Sequence, residues 1–183
     1  MKTSFKLCLD EAYFLSYVFG SLAIAKEDDK YYNLNELWSC FCQLYDPNNF
    51  AEFAARYAAY HYFRSKGWVV RNSVKFGSDY LLYKEGPPFY HALYSVVVTS
   101  KIQDQPSRQF HWNEISGLTR VSQNAHKELL LCVVTIPKAL SMTEITSSPE
   151  CIQHFNIDLL HVNRWNSSKG EFDYSQCSKV FLS

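Results

Sequence analysis

Tyr83 and His91 stand eight positions apart, on either side of a Gly-Pro-Pro turn in the stretch LLYKEGPPFYHALYSVVV, residues 81–98. A phenol and an imidazole can each take up or release a proton, so the two side chains are suited to general acid–base chemistry. If the flanking strands pair symmetrically about Pro87, the two residues fall opposite one another with Cβ atoms roughly 4.5–5.5 Å apart. They would then serve one pair of substrate atoms from two sides. The double proline stiffens the turn and lowers the entropy lost in holding both groups, although a connection of this length also admits a bulge and a shifted register. Taken singly, most tyrosines and histidines pack or face solvent, and thirteen tyrosines in the chain mean that residue type alone assigns no site.

The elements that must position this turn are legible on both sides of it. Asp10 is a suitable cap for a helix through EAYFLSYVFG ended by Gly20, and Asn33 for a helix through LNELWSCFCQLY stopped by Asp46-Pro47. NNFAEFAARYAAYHYFRSKG predicts a longer helix with Gly67 at its C-terminal stop. From Trp68 the composition turns β-branched and aromatic. WVVRNSVKF, DYLLYK and PPFYHALYSVVVTS predict strands, KIQDQPSRQ a polar loop, WNEISGLTRVSQNAH a helix and KELLLCVVTI a buried strand. SMTEITSSPECIQ reads as a Ser/Thr-rich loop before a last strand in FNIDLLHVNRW. The order predicts an α+β chain, with a mainly helical part over residues 1–67 and an α+β or mixed α/β domain with a mixed sheet over residues 68–183.

Composition bounds the class. The 183 residues are 47% hydrophobic and 20% charged, as in an ordinary folded protein. No apolar run is long enough to cross a bilayer, and Asp10 and Glu11 interrupt the first apolar stretch, so a soluble, intracellular chain is expected. The six cysteines include no Cys-x-x-Cys pair, and several lie in apolar stretches such as LLLCVV, which favours buried thiols over disulfides or metal ligands. Neither a metal nor a cofactor is called for. Net charge is zero but uneven: residues 56–127 carry ten Lys/Arg against four Asp/Glu, while residues 1–55 carry four against eight. A basic centre suits a polyanion such as RNA, and clustering on a solvated surface accounts for it equally well.

A longer string decides between these readings. AAYHYFRSKGWVVRNSVKFGSDYLLYKEGPPFYHALYSVVV, followed by LTRVSQNAHKELLLCVV, resembles the catalytic core of the tRNA-splicing endonucleases, and within them the subunit that cuts the 5′ splice site. The similarity extends weakly back through EAYFLSYVFGSL and forward through VNRWNSS. It implies a restriction-endonuclease-like C-terminal nuclease domain and a catalytic triad falling on Tyr83, His91 and Lys127. In that scheme Tyr83 is the general base on the 2′-hydroxyl, His91 the general acid on the departing 5′-oxygen, and Lys127 the cation beside the crowded phosphorane. No metal is needed, and the products are a 2′,3′-cyclic phosphate and a 5′-hydroxyl. An imidazole, with an ordinary pKa of ~6.5, suits the acid role near neutrality, whereas a phenol near ~10 is a poor base unless a cation favours its anion.

The resemblance further implies that Arg120 and Trp165 stack on a flipped base of the intron and assist the neighbouring subunit's cut, as a guanidinium and an indole can. It implies precursor tRNA as substrate, a heterotetramer with one other catalytic and two structural subunits, and a nuclear location. Two rivals stand beside it. A metal-dependent nuclease would need acidic ligands around a lysine, with Asp79 and Lys84 or Glu85 as the local candidates. A non-catalytic structural or RNA-binding subunit of the same complex would lack the triad, which is intact here.

Overall fold

The computed structural model describes residues 6–27, 29–102 and 105–162. Helices α1 (Leu9–Tyr17), α2 (Leu34–Tyr45) and α3 (Ala51–Ser65) precede strands β1 (Val69–Asn72), β2 (Tyr80–Tyr83), β3 (Tyr94–Ile102) and β4 (Gln105–Pro106). Helix α4 (Trp112–Asn124), strand β5 (Glu128–Ile136), the short helix α5 (Met142–Ser147) and strand β6 (Asn156–Val162) follow. The sheet runs β1-β2-β3-β5-β6, with β4 paired to β3. Strands β3 and β5 are parallel and every other pair is antiparallel. This is the mixed-sheet α+β architecture expected from the order of elements. Among the described residues no helix is long and apolar enough to cross a membrane.

Strand alternation divides the core. Tyr80, Leu82, Val96, Val98, Leu130, Cys132 and Val134 face one way, into a continuous cluster with Tyr13, Trp38, Phe53, Tyr57 and Phe63 of α1–α3. Val97, Leu129 and Leu131 face the other way, against Phe110 and Leu118 under α4. Helix α3 is buried along nearly its whole length, and its alanines let it lie close to the sheet. Tyr13 sits at the centre of an aromatic group, with ring centroids 5.0 Å from Trp38 and 4.9 Å from Tyr57. The Trp38 indole N–H donates to the Ile145 carbonyl at 2.8 Å, so α2 also fixes α5.

Charge joins the helical part to the sheet. Arg56 Nε donates to Asp10 Oδ2 at 3.1 Å and its Nη1 to Asp79 Oδ1 at 2.5 Å, linking α3 to α1 and to the residue that leads into β2. The Tyr80 hydroxyl also donates to Asp10 Oδ2, at 2.7 Å. Burial lowers the Arg56 pKa, but Tyr80, Asp10 and Asp79 outweigh it, and the guanidinium stays charged.

Several expectations are corrected. The first helix is capped at Cys8, whose N–H donates to the Glu11 carboxylate at 3.0 Å, because Asp10 is committed to Arg56. WVVRNSVKF is strand only to Asn72; Val74–Phe76 form a 3-10 turn closed by Gly77 at φ 71°. KIQDQPSRQ is not all loop, since β3 runs to Ile102 and Gln105–Pro106 pair back onto it. SMTEITSSPECIQ is not a loop: Ser141 caps α5 by accepting from the Glu144 N–H, while the Glu144 carboxylate accepts from the Ser141 N–H at 2.7 Å. The S-x-x-E spacing was the available signal. A 3-10 turn over Pro149–His154 completes that segment. Of the five described cysteines, all free, Cys42, Cys132 and Cys151 are buried, whereas Cys8 and Cys40 are half-buried.

Candidate active site at one end of the sheet

Strand register fixes the scaffold of the site. Leu82 of β2 pairs with Tyr94 of β3, and Tyr94 pairs in parallel with Glu128 of β5. The ladder continues beyond the strands proper, because the Leu93 N–H donates to Leu82 O at 2.9 Å and the Glu128 N–H to Leu93 O at 2.9 Å. Tyr83 is the residue after Leu82 and Lys127 the residue before Glu128, so both stand at the same end of the sheet, two strands apart. Strand alternation puts Tyr83 on the face of Leu81, opposite the face of Leu82 that packs into the large core. Tyr83 and Lys127 are both partly buried.

His91 reaches the same end by a different route, and the symmetric pairing about Pro87 does not occur. The observed register of β2 with β3 is centred one residue later, so the position facing Tyr83 falls to Leu93, not His91. The cause is the wound turn at the tip. Gly86, at φ 111°, offers its carbonyl to the N–H groups of both Phe89 and Tyr90, each at 3.1 Å, and β3 begins only at Tyr94. A side chain at position 86 would be strained at that φ, so the glycine is what the turn requires. Buried Ala92 then anchors the segment while His91 beside it is exposed.

Lys127 is delivered by the end of α4. The His126 N–H donates to Gln123 O at 2.9 Å and the Lys127 N–H to Ser122 O at 2.9 Å, with His126 left-handed at φ 54°. This is a Schellman termination, with histidine where glycine is usual, and it turns the chain straight into β5. The Lys127 ammonium donates to Ala125 O at 2.9 Å and lies 5.1 Å from the centroid of the Phe76 ring. Phe76 did not stand out in the sequence; no periodicity or spacing connects it with a lysine 51 positions away.

Arg120 is exposed on α4, seven residues before Lys127, and Trp165 lies outside the described residues. Asp79 does not offer itself as a metal ligand: one oxygen is held by Arg56 and the other accepts from the Val98 N–H at 2.8 Å. Lys84 and Glu85 are exposed on the turn. Strand β5 lies between β3 and β6, so LLLCVVTI is interior sheet.

The fold and this end of the sheet define a class: an α+β domain that presents a phenol and an amine at one end of the sheet, two strands apart, with an imidazole on the adjoining turn. Residues 53–142, which include Tyr83, His91 and Lys127, match the tRNA intron endonuclease family over its catalytic C-terminal domain. The chain is 39% identical over 174 residues to tRNA-splicing endonuclease subunit Sen2 of Rattus norvegicus, covering 93% of this chain and 36% of that protein. Sen2 of Gallus gallus is 41% identical over 167 residues, covering 90% and 35%. The Saccharomyces cerevisiae subunit SEN2 is 33% identical over 117 residues, covering 62% and 30%. The chain belongs to the tRNA intron endonuclease family. It spans about a third of the length of the vertebrate relatives.

Proposed function

We propose that this chain is the catalytic subunit of a tRNA-splicing endonuclease that cuts precursor tRNA at the 5′ splice site. The observation that carries the proposal is the common placement of Tyr83 and Lys127 at one sheet end, beside the turn bearing exposed His91, inside the segment that matches the family's catalytic domain. Residues 68–183 carry the catalysis in this reading, and the helices of residues 1–67 back the sheet.

The chemistry follows from the three groups. Tyr83 takes the proton of the 2′-hydroxyl next to the scissile phosphate, and that oxygen attacks phosphorus. Lys127 balances the charge that gathers on the non-bridging oxygens. His91 returns a proton to the 5′-oxygen as its bond to phosphorus breaks. One P–O bond forms and one breaks, leaving a 2′,3′-cyclic phosphate and a 5′-hydroxyl with no metal in any step. A 2′-deoxy substitution at the cut removes the nucleophile and stops the reaction.

Arg120, exposed on α4, is read as a stacking contact for an intron base, with Trp165 as its partner across that base. The working assembly is a nuclear heterotetramer with a second catalytic subunit and two structural ones. The test is cleavage of an intron-containing precursor tRNA in EDTA by the reconstituted complex, with this chain either wild type or His91→Ala and the product ends identified. Loss of the 5′ cut alone, with the 3′ cut retained and cyclic phosphate present, is the expected result. Two unchanged cuts would leave the turn as scaffolding.

A further inference from the structure

We propose that Phe76 is a positioning residue for the Lys127 ammonium, a role that rests on the catalytic reading of Lys127 above. The ammonium lies 5.1 Å from the Phe76 ring centroid, within the range of a cation–π contact. A lysine side chain has four rotatable bonds and no preferred direction of its own, so an unguided ammonium would sample many positions. Here two contacts restrict it: Ala125 O, accepting at 2.9 Å, and the ring. The aromatic face attracts the charge without accepting a proton, so two of the three N–H donors remain for a phosphate.

The ring is itself held on a built support. The Phe76 N–H donates to Ser73 O at 2.8 Å, and the Ser73 N–H to Asp79 O at 3.1 Å. A buried run of hydroxyls, Ser95 to Ser78 to Ser73 at 2.7 Å each, ties this connection down onto β3. Gly77, left-handed at φ 71°, brings the backbone against α4, where an added Cβ would lie 3.5 Å from Leu118 Cδ2. The connection between β1 and β2 therefore carries the ring from the β2 side of the sheet to a lysine that leads into β5.

The experiment is single-turnover 5′ cleavage of precursor tRNA by the reconstituted complex, with Phe76→Leu, Phe76→Tyr, Lys127→Ala and the double variant Phe76→Leu/Lys127→Ala. Phe76→Leu is expected to slow cleavage about 3- to 10-fold at saturating enzyme, the scale of one cation–π contact, with precursor affinity unchanged. Phe76→Tyr, which keeps the aromatic face, restores the rate. In the Lys127→Ala background Phe76→Leu adds no further loss. A loss of the same size in both backgrounds makes Phe76 a plain packing residue, and full activity of Phe76→Leu beside a slow Lys127→Ala removes its role; either overturns the proposal. Full activity of Lys127→Ala would instead overturn the reading of Lys127 on which it stands.

Discussion

Tyr83 and Lys127 are 44 positions apart in the chain and stand at the same end of the sheet, one residue beyond Leu82 and one residue short of Glu128. The backbone bonds from Leu93 to Leu82 and from Glu128 to Leu93, both 2.9 Å, lock that relationship through the strand between them. Tyr83 is thus placed by β2 and Lys127 by the α4 end that leads into β5, which suits the proposed action of both on one phosphate.

Lys127→Ala is expected to reduce 5′ cleavage in the assembled complex by at least ~10²-fold, the scale of one lost electrostatic donor at a developing charge. The fold should be kept, because Lys127 lies outside β5 and, among the described residues, its ammonium meets a local carbonyl and a ring face. Cleavage rate and a melting curve on the same preparation check both halves.

Arg56→Met should destabilise the chain by about 3–5 kcal/mol, since removing one partner of a buried ion pair leaves the other charge uncompensated. Burial already raises the Asp10 pKa, against the opposing pull of Arg56 and the Tyr80 hydroxyl, and among the described residues one Asp10 oxygen has no hydrogen-bond partner. Losing the guanidinium would also free Asp79 at the lead-in to β2. Denaturant unfolding of variant and wild type measures the cost, and a change below about 1 kcal/mol would show that the network is not a structural joint.

Stability should depend on pH through Glu52. Burial raises its pKa above the ordinary carboxylate value, against a hydrogen bond from the Ser100 hydroxyl at 2.9 Å that favours the anion. The folded chain thus holds this proton more tightly than the unfolded chain. The stability it contributes is fully present below the ordinary carboxylate pKa and is lost as pH rises through the raised value. Glu52→Gln keeps an acceptor for Ser100 and has no proton to lose. It should therefore exceed wild type in stability at about pH 7.5 and match it at about pH 3, on either side of the carboxylate range. Denaturant titrations at the two pH values read the difference, and equal offsets at both would exclude the linkage.

Local signals settled most of the elements. Asn33 before LNELWSCFCQLY caps α2 by accepting from the Glu36 N–H at 2.8 Å, because cap chemistry acts over three residues and is written in the sequence. The same range explains why α5 was legible in principle from its S-x-x-E spacing. Strand β5 was legible from the six-residue apolar run LLLCVV within it, since a strand covered on both faces has no polar side to alternate. The residue types at positions 83, 91 and 127 were likewise fixed by the sequence, and with them the chemistry open to the site.

The tertiary structure decided where those residues stand. Pairing register depends on how many residues the Gly86 turn takes up, and symmetry about Pro87 could not foresee that its carbonyl would bind both Phe89 and Tyr90. Asp10 offered a good cap, yet it was taken by a guanidinium 46 residues away, a contact no local rule contains. Phe76 beneath Lys127 belongs to the same class. The first contact needs α1 packed on α3, and the second needs β2, β3 and β5 paired with α4 leading into Lys127, because the energy of each comes from groups brought together across the chain.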